Sequence, residues 1–170
     1  MTAATLQTRR LTLRQPQASD LPAYAAYCAS ERSHFVGGPF TEARTFDRFA
    51  AMIGHWAIRG FGRYVIVHEG RPIGHVGPLA VHEGEEVPEL SWTLWDAESE
   101  GHGFATEAAQ AVWTHLSKDL GWSEMLVRIQ PENAASIRLA EKLGAERTEE
   151  PAPDHYHGCL TYRLTAKVPA

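Results

Sequence analysis

Hydrophobic and polar positions along the chain follow two periods, and the changes between them predict the order of elements. Apolar residues at every second position, or in short apolar runs, predict strands over 9–14, 63–68, 73–81, 87–95, 125–130 and 159–164. Apolar residues three or four apart predict helices over 21–29, 41–59, 104–120 and 134–143. Strands lead and then alternate with helices. The pattern therefore predicts an α/β or α+β fold, with a mixed sheet and helices on both of its faces.

The two longest helices each carry an apolar face that predicts core positions. In the third helix this face consists of Phe104, Ala108, Val112, Leu116 and Leu120. In the second helix it consists of Phe46, Phe49, Ala50, Ile53 and Ala57. We expect both faces to pack against the sheet.

Length, charge and cysteine content exclude several classes of protein. A chain of 170 residues fits one domain with a core of its own. A net charge of −5 argues against a general nucleic-acid binder, and no segment approaches the roughly 20 apolar residues of a membrane helix. Cys28 and Cys159 lack CxxC spacing, and the N-terminus lacks the apolar core of a signal peptide. We therefore expect a cytoplasmic protein with reduced thiols that binds neither nucleic acid nor membrane.

Two glycines at the start of the third helix suggest a binding site for an anion. Gly101 and Gly103 leave the backbone bare where the first-turn N–H groups of a helix have no intrahelical partner. A tight turn that needs glycine for its dihedral angles is the alternative explanation. The sequence does not match a Walker loop, because Phe104 and Ala105 follow Gly103 in place of Lys and Ser or Thr. A phosphate site and a structural turn both stay open.

Three stretches resemble the GCN5-related N-acetyltransferase (GNAT) superfamily. "SWTLWDAESEGHGFATEA" (91–108) resembles its central motif, and "PENAASIRLAEKLGAER" (131–147) resembles its second motif. "RRLTLRQPQASD" (9–20) looks like the opening of the RimJ/RimL-type branch, which acetylates protein N-termini. The resemblance spans essentially the whole chain. It implies a single N-acetyltransferase domain over 1–170, with a mostly antiparallel sheet and a V-shaped split between its two central strands.

The resemblance also implies acetyl-CoA as co-substrate and places its contacts. The pyrophosphate would lie on the backbone of Gly101, His102, Gly103, Phe104, Ala105 and Thr106. The pantetheine arm would lie beside the strand residues Trp92, Thr93 and Leu94. Asn133 is expected near the pantetheine and Ser136 near the sulfur. For Asn133 a helix N-cap is the alternative role, and both roles can hold at once. For Ser136 the alternative is an ordinary polar residue in a first helical turn.

One position departs from the family pattern. The loop normally begins with Gln or Arg, and here it begins with Glu100. A carboxylate beside a pyrophosphate is unfavourable unless it points away or is compensated by a cation. His102, Arg128 and Arg138 are the candidates for that compensation.

Acetyl transfer to an amine requires a base and an acid. Glu89 is the first candidate for the base, with a solvated acid at a strand end as the alternative, and Glu107 is a weaker candidate. The family often protonates the leaving thiolate with a Tyr, but Ala140 stands at that position. Ser136, Tyr156, Tyr162 and water are the candidates for the acid.

The acceptor cannot be identified from the sequence. Phe35, Phe40 and Trp56 are candidates for lining the amine pocket, with helix packing as the alternative for Trp56. His155 and His157 are the only closely spaced histidine pair, and we expect no metal site. The predicted activity is direct attack of a primary amine, either a protein N-terminus or a small molecule, on acetyl-CoA in a ternary complex. A non-catalytic acyl-CoA-binding module is the alternative, and a homodimer is compatible with either.

Overall fold

The computed structural model describes residues 5–167, and its elements follow the predicted order. The strands are β1 (Leu6–Gln7), β2 (Thr12–Arg14), β3 (Tyr64–His68), β4 (Arg71–Leu79), β5 (Glu89–Leu94), β6 (Glu124–Ile129), β7 (Glu146–Arg147) and β8 (Leu160–Thr165). The α-helices are α1 (Leu21–Cys28), α2 (Glu42–Arg59), α3 (Phe104–Thr114) and α4 (Ala134–Lys142). Short 3-10 turns span Ala18–Asp20, Glu31–Val36 and Asp154–Tyr156, and a π-helical turn spans His115–Asp119.

In the part of the chain that the structure describes, the eight strands form one sheet in the order β1-β2-β3-β4-β5-β6-β8-β7. Every neighbouring pair is antiparallel except β5 and β6, which are parallel. Their pairing is limited to Glu89 opposite Leu126, supported by the Leu126 N–H, which donates to the Pro88 carbonyl at 3.0 Å. Beyond that pair the two strands have no ladder. The predicted fold class is confirmed, and the interrupted pairing is the expected split between the central strands.

The core forms two layers because successive strand residues point to opposite faces of the sheet. Along β3, Tyr64 and Ile66 pack in the cluster that holds α3 and α4. Val65, between them, packs with α1 and α2 in a second cluster. Helices therefore cover both faces of the sheet, as the sequence pattern predicts.

Two details of the predicted core are wrong. Leu120 is 51% exposed because the π-helical turn after α3 is wider than an α-turn and shifts the helical phase. On α2, four of the five residues of the predicted face are exposed: Phe46 (61%), Ala50, Ile53 and Ala57. The buried residues of α2 are Thr45, Phe49, Met52 and the polar residue His55. The His55 ring faces the sheet because Nδ1 lies 2.6 Å from the Phe61 carbonyl and Nε2 accepts from the Ala80 N–H. Backbone hydrogen bonds thus select a buried face that hydropathy does not predict.

Across residues 5–167, no helix is both long enough and apolar enough to cross a bilayer.

Candidate active site

A cavity of about 650 Å³ opens where β5 and β6 separate. Its wall combines residues of both strands with the start of α4 and the turns at 31–36 and 154–156. Among the residues predicted from the sequence, those that line it are Glu89, Trp92, Thr93, Asn133, Ser136, Phe35 and Tyr156. The split therefore brings the predicted base and the predicted pantetheine contacts Trp92, Thr93 and Asn133 to one cavity, whereas the predicted contact Leu94 does not line it.

Two of the predicted amine-pocket residues do not line this cavity. Phe40 packs in the α1–α2 core, beneath the guanidinium of Arg48. Trp56 stacks edge-on against Tyr64 at 4.9 Å, and its Nε1 donates to the Arg63 carbonyl at 3.0 Å. Trp56 therefore packs against β3, and not between α1 and α2 as the alternative of helix packing supposes.

Trp92 and the first turn of α4 meet across the split. Trp92 Nε1 donates to Ser136 Oγ at 3.2 Å, so the serine hydroxyl can direct its own hydrogen elsewhere in the cavity. Asn133 is the N-cap of α4, and its side-chain oxygen accepts from the Ser136 N–H at 3.2 Å. The N-cap role of Asn133 is confirmed. It also fixes the helix start that places Ser136 in the cavity wall.

The Gly-His-Gly loop leads into α3 outside the cavity wall. Gly101 and Gly103 have φ of 79° and 77°, the left-handed region that favours glycine, so the turn explanation is confirmed. Gly103 is also the N-cap of α3, and no side chain of residues 5–167 caps this helix. The N–H groups of the first turn, which includes Phe104, Ala105 and Thr106, therefore remain available to an anion. The loop therefore has the backbone angles of a glycine turn and also an uncapped helix start that an anion could bind. Its role in binding phosphate stays a prediction.

Arg10 lies beside this helix start, a position that the sequence pattern does not indicate. Its guanidinium lies 4.6 Å from the centre of the Phe104 ring, and Nη2 would be 3.6 Å from a Cβ at Gly103. Its Nε donates to Glu107 Oε2 at 2.7 Å, and Thr8 donates to the same carboxylate at 2.6 Å. Burial acts to raise the pKa of Glu107, but the bonds from Thr8 and Arg10 lower it. An anchored carboxylate of low pKa is a poor base, so Glu107 serves to position Arg10.

Glu100 is compensated by a residue that the sequence did not suggest. Arg32, in the turn at 31–36, forms an ion pair with Glu100 and donates through Nη1 to the Leu94 carbonyl at 3.3 Å. The three candidates named from the sequence, His102, Arg128 and Arg138, form no ion pair with Glu100 among residues 5–167. Arg32 joins the loop, the end of β5 and a turn that lines the cavity.

This pairing predicts the effect of two substitutions. Arg32→Gln leaves the Glu100 carboxylate uncompensated near the predicted phosphate site, and we expect CoA affinity to fall about threefold to tenfold. Glu100→Gln in the same chain removes the repulsion and should restore most of the affinity. Calorimetric titration of the two single variants and the double variant with CoA measures this. A double variant as weak as Arg32→Gln would show that charge at Glu100 is not the reason.

Glu89 begins β5 and lies opposite Leu126, in the one residue pair that joins β5 to β6 among the described residues. Burial raises the pKa of Glu89 to about 7, although Tyr156 and Arg128 act in the opposite direction. A carboxylate with that pKa is partly ionised at neutral pH and holds a transferred proton better than an ordinary Glu. The geometry and the ionisation of Glu89 therefore suit a general base.

The remaining acid candidates differ in position. Tyr156 lines the cavity, and burial together with Glu89 raises its pKa, which makes it a weak proton donor. Tyr162 is 5% exposed and packs in the core, away from the cavity wall. Ala140 is also fully buried in the core, so that position leaves no open slot for a phenol. Ser136 lines the cavity, and its role as the acid stays a prediction.

The histidine that lies close to His155 in space is not the one that lies close to it in sequence. His155 packs against His82, 3.6 Å between ring centroids, and one potential ligand atom from each lies within 4.8 Å of a Glu85 oxygen. Both histidines are exposed. The Glu85 carboxylate already accepts the N–H groups of Val81 and His82 at 3.0 Å, which stabilises the turn before β5. His157 lies outside this group.

The split between β5 and β6 can hold an extended ligand between two strands. The uncapped N-terminus of α3 can hold an anion. Comparison with known proteins identifies the family. Residues 10–146 match the model of the acetyltransferase (GNAT) domain. The chain belongs to this family of acetyltransferases.

Individual relatives agree with that assignment. An acetyltransferase from Agrobacterium tumefaciens is 32% identical, with a TM-score of 0.88 over 98% of this chain and 96% of that one. The uncharacterized N-acetyltransferase p20 of Bacillus licheniformis is 28% identical over 84% of this chain and 83% of its own length. YnaD of Bacillus subtilis is 32% identical over 75 residues, 44% of this chain and 43% of its own length. RimL, an acetyltransferase of ribosomal L7/L12 solved with CoA, shares the fold at 18% identity and a TM-score of 0.75, over 93% of this chain and 95% of that one.

Proposed function

We propose that the chain transfers the acetyl group of acetyl-CoA to a primary amine by direct attack in a ternary complex. The observation that supports this best is the single-pair contact between β5 and β6, with Glu89 at that pair and the cavity beside it. The split offers strand backbone to an extended arm, and Glu89 offers a base with a pKa of about 7. Family membership supports the acyl donor.

In this proposal the donor lies along β5 toward the Gly-His-Gly loop. Trp92, Thr93 and Leu94 flank the pantetheine, and Asn133 lies on the opposite side of the split. The pyrophosphate lies on the backbone of residues 101–106, where α3 has no capping side chain and the Arg10 cation is close. Backbone N–H groups and a nearby cation both favour an anion there.

Groups in the cavity wall supply each step of the acetyl transfer in this proposal. Glu89 accepts a proton from the amine, whose nitrogen then attacks the thioester carbon, and the carbon–sulfur bond breaks. A backbone N–H near Thr93 stabilises the oxygen that gains charge. The Ser136 hydroxyl donates to the departing sulfur, since its oxygen is already oriented by Trp92.

Direct attack, without an acyl-enzyme, fits the two cysteines. Cys28 is buried in the α1–α2 core and Cys159 lines the cavity. Burial and the nearby Glu89 raise the pKa of Cys159, which keeps its thiol protonated and a poor nucleophile.

Initial-rate kinetics test the ternary complex. Varying acetyl-CoA at several fixed amine concentrations should give double-reciprocal lines that intersect. Parallel lines, or a protein that gains the mass of an acetyl group when no amine is present, would contradict direct attack. CoA binding without any turnover would instead favour a non-catalytic acyl-CoA-binding module.

Ser136→Ala tests the leaving-group step. We expect the rate of the chemical step to fall roughly tenfold, about 1.4 kcal/mol of transition-state stabilisation, with a smaller change in CoA affinity. Single-turnover measurements isolate chemistry from product release. Thr114→Ala, which removes an exposed hydroxyl at the end of α3, serves as the matched control and should keep the wild-type rate. A wild-type single-turnover rate in Ser136→Ala would move the role to Tyr156 or to solvent.

Two further assignments accompany the proposal. Residues 1–170 form one N-acetyltransferase domain, and the opening segment belongs to the RimJ/RimL-type branch, supported by the strand β2 and the helix α1 that follow its motif. A cytoplasmic location and a homodimer remain predictions from the sequence.

A further inference from the structure

The cavity wall carries more positive than negative charge. Among the described residues, three arginines line it, Arg48, Arg63 and Arg128, against one carboxylate, Glu89. Arg128 already has partners, because Nη1 donates to Thr161 Oγ1 at 2.8 Å and its guanidinium lies 5.7 Å from the centre of the Tyr156 ring. Within residues 5–167, Arg48 and Arg63 lie within 4.0 Å of no carboxylate oxygen.

Arg48 projects from α2 with an unsatisfied donor. Its Nε is buried and has no hydrogen-bond partner among the described residues. Its guanidinium lies 4.3 Å from the centre of the Phe40 ring, which orients the group without neutralising it. A buried donor without a partner is costly, so the folded protein gains if a ligand supplies an acceptor.

Arg63 is held in place by its backbone. Its carbonyl accepts from Trp56 Nε1 at 3.0 Å, immediately before β3. Gly77 on β4 has a φ of 150°, and a Cβ there would lie 2.8 Å from the Arg63 Cα. Only glycine allows that approach. Burial lowers the pKa of Arg63, but an arginine side chain stays a cation in proteins.

The neighbouring groups do not supply the missing negative charge. Burial raises the pKa of Tyr24, so its hydroxyl stays neutral even beside Arg48. His75 accepts from Trp95 Nε1 at 2.9 Å, and burial lowers its pKa well below the ordinary value, so it is neutral as well. Glu89 and Tyr156 also face Arg63, and Glu89 is the only acid among these four groups.

We propose that the amine acceptor carries a carboxylate, as an amino acid does, and that Arg48 and Arg63 bind this carboxylate while the amine faces Glu89. This inference rests on the proposed acetyl transfer. Guanidinium groups pair with carboxylates through strong, directional hydrogen bonds. Two uncompensated cations also disfavour polycationic acceptors such as polyamines and aminoglycosides.

The carboxylate of the acceptor takes no part in the chemical steps of acetyl transfer. Glu89 takes one proton from the ammonium group, and the neutral nitrogen forms a bond to the acetyl carbon. The carbon–sulfur bond breaks with its electron pair on sulfur. The proton that the nitrogen then loses reaches the sulfur through the Ser136 hydroxyl, so CoA leaves as the thiol. The carboxylate and the two arginines remain unchanged, so both arginines are acceptor-binding residues.

Matched acceptors test the inference on the unmodified chain. Each amino acid of a panel is compared with its own carboxamide, which keeps the amine and the shape but removes the negative charge. We expect kcat/KM to be roughly 10- to 100-fold higher for the best acids than for their amides, mainly through KM. Equal use of the acids and the amides would overturn the proposal.

The variants Arg48→Gln and Arg63→Gln test whether these two residues cause the preference for a carboxylate. Each should raise the KM of the acid while changing that of the amide little, and each should leave CoA affinity unchanged. Arg44→Gln, an exposed position one turn earlier on α2, is the matched control and should keep the full preference. An undiminished preference in both variants would contradict the assignment.

The outcomes separate this inference from the proposed function. Turnover of amines without any preference for a carboxylate would refute the inference and leave acetyl transfer standing. Absence of turnover with every amine would refute the proposed function and the inference together. The comparison of acids with amides needs no substitution, so it decides even if an arginine variant does not fold.

Discussion

Replacing Glu89 by Gln is expected to lower kcat by about a hundredfold or more while acetyl-CoA still binds. The amide keeps the size and shape of the carboxyl group but cannot accept the amine proton. The residue lies at the junction of β5 and β6, where burial raises its pKa to about 7. Steady-state turnover and CoA calorimetry on the same preparation separate the loss of rate from a loss of binding.

The pH dependence of kcat should also show that Glu89 is the base. A base acts in its deprotonated form, so the wild-type kcat should rise with pH through about 7 and level off above it. In Glu89→Gln this limb should disappear. Glu86→Gln, in the exposed turn just before β5, is the matched control and should keep both the rate and the profile. A near-normal rate for Glu89→Gln at neutral pH would instead assign the proton to a chain of water molecules.

Gly103→Val is expected to weaken CoA binding on the order of a hundredfold. The branched side chain would stand at the N-cap of α3, over the first-turn N–H groups and toward Arg10. A β-branched residue is also strained at the Gly103 φ of 77°. Calorimetry for affinity and thermal unfolding for stability must therefore be measured together.

Gly60→Val is the control for that strain. Gly60 has a φ of 76°, caps the C-terminus of α2 and has open space around its Cβ position. It should lose a similar amount of stability and keep full CoA affinity. If both folded variants bind CoA like the wild type, the Gly-His-Gly loop is a structural turn alone.

Local patterns explain what the sequence predicts well. Strand alternation and helical periodicity depend on neighbouring residues, so they predict the order of elements and the mixed sheet. The same locality places Glu89 at the start of β5 and Asn133 at the start of α4. Motif spacing then relates these positions to a known family.

Long-range pairing explains what the sequence does not predict. Arg32 is 68 residues from Glu100, and Arg10 is 97 residues from Glu107, so neither ion pair has a local signature. Arg48 and Arg63 likewise look like ordinary surface cations until α2 and β3 fold against one cavity. Charge compensation at this site is a property of the tertiary fold, which periodicity does not encode.

The most direct test of the proposed activity is amine-dependent release of the CoA thiol from acetyl-CoA, with mass spectrometry of the amine. We expect thiol release that requires both the chain and an amine, with an equal amount of N-acetylated product, and with the greatest rates for amines that carry a carboxylate. Thiol release that does not depend on amine, or CoA binding with no acetylated product from any amine, would contradict an N-acetyltransferase.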